Sequence, residues 1–139
     1  VLNNLFTDGS GNPTWRFKQG GSYTASTYEQ QTLEVSGTSA SANRSTSQTG
    51  MVLAAVQVTN TSPYSDVLIV KNRFSTVAAG PSIATYGTQT GSGVAKIGIC
   101  QGVRQTGGAV EGARLYLSGG GGSTIFTSGN YAWYGIKAS

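Results

Sequence analysis

Five carboxylates (Asp8, Glu29, Glu34, Asp66 and Glu111), one thiol (Cys100) and nine basic residues are all the acid–base material in this 139-residue chain, which has no histidine. Without imidazole, the commonest general base is missing, and neither a Ser-His-Asp nor a Cys-His arrangement can be assembled. The carboxylate spacing offers no pair on consecutive strand ends, as two-acid glycoside hydrolysis would need. A lone cysteine excludes an intramolecular disulfide and any multi-cysteine metal site. Cys100 closes the apolar run VAKIGIC, where a buried, inert thiol is expected. The glycine-rich stretch SGGGGSTIFTSG lacks the lysine of a phosphate-binding loop, and no βαβ pattern surrounds any glycine pair. The chain therefore reads as a non-enzyme, with no catalytic residue, cofactor or metal expected.

The basic residues carry more information than the acids. In TWRFKQ, Arg16 and Lys18 fall on one face of a strand, with Trp15 and Phe17 on the other. Lys71 and Arg73 share a face by the same alternation, and Lys96 and Arg114 sit singly in apolar strands. If these strands are neighbours, Arg16, Lys18, Lys71, Arg73, Lys96 and Arg114 give a sparse positive field facing packaged nucleic acid, non-specific in its phosphate contacts and without base reading, as a shell lining an enclosed genome would. The plainer reading is a solvated outer face. Aromatic residues supply the second set: Trp15, Tyr23, Tyr28, Tyr64, Tyr86, Trp133 and Tyr134 are candidates for packing between copies or for stacking on a ligand. Tyr23 and Tyr28 lie in a polar stretch read as flexible, Tyr64 in a turn, and Tyr86 beside the glycine-rich 87–93 segment.

What positions these residues reads as strand throughout. The pattern predicts strands at 14–19, 31–37, 51–60, 67–74, 94–100, 113–119, 123–127 and 131–138, with helical periodicity hard to find. Segments 51–60 and 67–74, parted by a turn at Pro63, are expected to pair antiparallel. Ser128-Gly129-Asn130 is expected to turn a C-terminal hairpin whose last strand, with Trp133, Tyr134 and Ile136, closes the core. SGTSASANRSTSQTG at 36–50 holds no apolar residue larger than alanine and is expected as a flexible polar loop, or an arm ordered by a neighbour. Segments 87–93 and 118–123 are expected as loops. The class is all-β: one domain over 1–139, an antiparallel β-sandwich or jelly-roll-like sheet with Gly/Ser/Thr-rich loops.

Composition points to association. Glycine fills 21 of 139 positions and charged residues only 10%. Glycine is the costliest residue to order, so a small core needs burial from elsewhere, and copies of the same chain supply it while covering sheet edges. The formal charge of +4 is thinly spread. No stretch approaches the roughly 20 apolar residues that span a bilayer, and the N-terminus lacks the pattern of a signal peptide.

Short Gly/Ser/Thr/Asn-rich strands, absent histidine and the ending SGNYAWYGIKAS give the chain a texture that resembles structural proteins of virus particles, bacteriophage ones especially. The resemblance implies a virion location and a role as a coat (capsid) subunit or a fibre or spike subunit built by self-assembly into homo-oligomers. Small RNA-phage coats end in helices, whereas residues 112–139 here read as strands, which argues against that fold. Two other roles suit the same composition: a β-sandwich module binding carbohydrate or a receptor, such as a host glycan, and a surface filament subunit.

Overall fold

The computed structural model describes residues 1–53, 59, 64–71, 82–91, 94–106, 109–119, 126–132 and 134. Within them lie eleven strands: β1 (Leu2–Thr7), β2 (Asn12–Gln19), β3 (Ser22–Tyr23), β4 (Tyr28–Ser36), β5 (Ser39–Gln48), β6 (Met51–Val52), β7 (Tyr64–Lys71), β8 (Ser82–Gly91), β9 (Val94–Arg104), β10 (Gly112–Ser118) and β11 (Phe126–Tyr131). All described pairings are antiparallel. The strands form a seven-stranded sheet in the order β11-β1-β7-β8-β9-β4-β5, and a second sheet in which β2 pairs with β10, β3 and β6. The all-β, antiparallel expectation holds.

The core forms where period-2 alternation is strongest. In β2, Trp15 and Phe17 are buried on one face and their rings meet edge-on, 6.2 Å apart. Leu2, Leu5, Tyr28, Met51 and Leu53 complete the buried cluster, with Val110, Ala113, Leu115 and Phe126 packed against it. The two-residue strand β6 ties the sheets together. Its Met51 and Val52 pair with Trp15 and Thr14, while the Val52 amide donates to Gln30 Oε1 (2.8 Å) and the Cys100 thiol to the Val52 carbonyl (3.3 Å). Gly102 is required there, because a Cβ would run into Met51 Sδ and stand 2.9 Å from Met51 Cγ.

Several boundaries differ from the sequence reading. Met51–Val52 and β7 are not partners: the first joins β2, the second joins β1 and β8. No hairpin turn forms at Ser128-Gly129-Asn130, because β11 continues through it, pairing Asn130 with Asn3 and Ser128 with Phe6, although the ladder shifts register on both sides of Ser128 and Gly129 takes a positive φ of 132°. Chain-distant β1 gives these residues a ladder, and a ladder outweighs local turn preference. The 36–50 segment is a strand hairpin rather than a loop. Gly37 (φ 59°) and Thr38 turn the chain, and β5 then pairs with β4 from Ser39↔Ser36 to Gln48↔Tyr28. Gly87–Gly91 likewise extends β8. Residues 54–58, 60–63, 72–81, 92–93, 107–108, 120–125, 133 and 135–139, Trp133 and Ile136 among them, lie outside the described residues, so most of the expected strands at 51–60 and 131–138, the turn at Pro63 and most of the 118–123 loop fall there.

Candidate functional site

Two outer faces of opposite chemistry flank the core. The first belongs to the four-stranded sheet. Trp15 and Phe17 of β2 point inward, so Arg16 and Lys18 point out. Register sets Arg114 of β10 directly opposite Arg16, Gly112 opposite Lys18, and Tyr116 opposite Thr14, while Tyr23 of β3 pairs with Lys18. The planar groups interleave. Arg114 Cζ lies 4.7 Å from the Tyr23 ring centre and 5.0 Å from that of Tyr116, and Arg16 Cζ lies 4.6 Å from Tyr116 on the same face. Tyr23, Arg114, Tyr116 and Arg16 thus alternate ring and cation. Arg16 Nε also donates to the Thr49 carbonyl at 2.6 Å. Burial pushes the Tyr116 phenol above its ordinary value, against the opposing pull of Arg16 and Arg114. The nearby Glu111 uses Oε2 to accept the Gly21 amide.

The second face belongs to the seven-stranded sheet. Register aligns Leu33 with Ile99 and Val35 with Ile97, while Ile99 and Val67 both pair with Tyr86 from opposite sides. The side chains of Leu33, Val35, Val67, Ile69, Ile97 and Ile99 are therefore on one face, and each is 38–54% exposed. Ala40 and Ala42 of β5 extend the rows past Val35 and Leu33. One end is polar: Arg44 and Glu29 form an ion pair (3.5 Å) beside a groove lined also by Gln31 and Gln101.

Of the six cations selected from sequence, Arg16, Lys18 and Arg114 meet on one face. Lys96 lies in the other sheet and pairs with Glu34 at 3.6 Å. Lys71 ends β7 in that same sheet, and Arg73 lies outside the described residues. The aromatic set divides similarly. Trp15 is core, and Tyr23 is exposed. Tyr28 is not on a flexible segment: it is fully buried, accepting the Phe17 amide at 2.9 Å and sharing a hydrogen bond with the Thr24 hydroxyl. Tyr64 begins β7 rather than occupying a turn, and Tyr86 lies within β8. Tyr134 is 78% exposed, an outer position and not a core-closing one. Tyr116 was not selected from sequence. Its alternation with Arg114 in ARLYLS was the available signal, since residues two apart on a strand share a face.

Cys100 is buried as expected, and burial, with the Asp66 carboxylate adding to it, pushes its thiol up to about 12. Among the described residues no group of three metal-ligating side chains occurs, and no helix is long and apolar enough to cross a membrane. No protein-family model, curated protein or solved structure matches this chain.

Proposed function

We propose that this chain is a non-enzymatic structural subunit of a virus particle, a coat or fibre protein that works by assembling with copies of itself. In this reading its two sheets are the layers of a single β-sandwich domain. The supporting observation is the aliphatic face of the seven-stranded sheet. Six aligned side chains expose on the order of 400 Å², the size of a typical monomer's largest apolar patch, which is often a functional surface. A stable dimer buries about 800 Å² per partner, which Ala40, Ala42 and the polar rim around Gln31 and Gln101 would bring within reach. Copies are the natural occupant, because the six aligned side chains are uncharged and aliphatic, and like apolar surfaces bury one another without leaving a charge unpaired.

Light scattering on the eluting full chain, followed by electron microscopy, tests the proposal. Discrete multi-copy species or particles are expected. A monomer persisting at high micromolar concentration would reject self-assembly, and open-ended fibres would favour a surface filament instead. Tyr131 and Tyr134, 83% and 78% exposed, favour one second reading, a module that stacks on host glycans or a receptor. Saturable binding on a glycan array by a solitary chain would establish it over the first.

A further inference from the structure

We propose that the outer face of the four-stranded sheet is a binding platform for single-stranded nucleic acid, built from Arg16, Lys18, Arg114, Tyr23 and Tyr116. It stands apart from the assembly reading, since it lies across the core from the aliphatic face and needs only one copy.

The first argument is electrostatic. Arg16 and Arg114 are directly opposed on neighbouring strands, and like charges so placed destabilise a sheet. No carboxylate among the described residues forms an ion pair with either, or with Lys18; the ion pairs Arg44–Glu29 and Lys96–Glu34 both belong to the seven-stranded sheet. An anion lying over the β2–β10 pair would remove that repulsion and contact several cations at once. The tyrosines do not neutralise the guanidiniums. Ring contact uses no guanidinium N–H, so donors remain for phosphate oxygens, which a planar fork recognises well.

The second argument is shape. A free phosphate would need no aromatic rings, yet the cations alternate with two of them across the β3, β10 and β2 strands. Bases stack on exposed aromatic rings and on guanidinium planes alike, and a charged groove interleaved with such surfaces characterises single-strand binding without base-specific readout. Tyr23 is 41% exposed with Arg114 over its ring, so part of the ring is open to a base. In a duplex the bases are already stacked on one another and cannot use it.

The test uses the full chain and fluorescently labelled oligouridylate RNA of about 16 nucleotides, enough for one site, with a mixed-sequence duplex of equal length as control. Three phosphate contacts predict a slope of about −2 in log affinity against log salt, or roughly twentyfold weaker binding between 50 and 200 mM salt. Arg114→Gln should flatten that slope by about 0.7. Tyr23→Ser should weaken binding about tenfold with the slope unchanged, as loss of one stacking partner does. Lys96→Gln, on the other sheet, should change nothing. Arg16 also bonds the Thr49 carbonyl, so Lys18→Gln replaces Arg16→Gln if the latter melts early. Absence of binding at 50 mM salt, an Arg114→Gln slope equal to wild type, or tighter binding to the duplex would each overturn the proposal. Unaltered affinity in Tyr23→Ser would reduce the face to a simple anion site and overturn its assignment to nucleic acid. A monomer that binds the single strand would uphold this inference while rejecting the assembly reading.

Discussion

At the scale of residues, the polar atoms of the core are the most exacting. Tyr28 is fully buried and its hydroxyl accepts the Phe17 amide, a backbone donor that faces the core rather than water. Tyr28→Phe keeps the ring but strands that donor, so a loss of about 1–3 kcal/mol in urea unfolding is expected. Cys100 gives the pH dependence. Its thiol is raised from 9.0 to about 12 in the folded chain, so above pH 9 the unfolded chain releases this proton while the folded chain keeps it. Stability is then full below pH 9 and falls as pH rises from 9 toward 12. At pH 10 the deficit relative to pH 7 is on the order of 1 kcal/mol, and it should vanish from the pH difference in Cys100→Ala. Burial of Cys100, Trp15 and Phe17 was legible in the sequence, because each belongs to an alternating apolar run. Tyr28 was not, since its neighbours Thr27, Glu29 and Gln30 are polar and its burial comes from β2 across the core.

At the scale of elements, β5 shows why a strand can hide from a sequence reading. Its residues are almost all exposed, so neither face needs apolar side chains and no period-2 pattern arises. Only the backbone ladder with β4 makes it a strand. That ladder contains a bulge between Tyr28↔Gln48 and Gln30↔Ser45, where β5 has one extra residue and Ser47 takes a left-handed φ of 55°. Such a conformation costs a side-chain-bearing residue roughly 1–2 kcal/mol, and glycine's greater chain entropy returns about 0.5–1 kcal/mol of that. Ser47→Gly should therefore raise stability by about 0.5–1 kcal/mol, seen as a melting temperature a few degrees higher. β11 makes the complementary point. Ser-Gly-Asn has the residues of a tight turn, but β1 offers it partners from Leu2 to Thr7, and contacts that distant leave no local trace. The β2 strand, by contrast, was read with its faces correctly sorted. That sorting put Arg16 and Lys18 together, whereas only the β2–β10 register could bring Arg114 opposite Arg16.

At the scale of the whole molecule, the two outer faces have different proposed partners. The aliphatic face would be buried between copies, while the arginine–tyrosine face remains open across the core. Ile97→Thr with Ile99→Thr should accordingly abolish multi-copy species in light scattering while changing monomer stability by less than about 1 kcal/mol, since both side chains are already half exposed. The β4–β5 hairpin has its own consequence. Its tip, Gly37-Thr38, is exposed, and loop tips of this kind tolerate inserted segments. A short foreign epitope spliced between these residues would be held at a fixed, solvent-facing site on the fold, making the hairpin a natural graft point for antigen display.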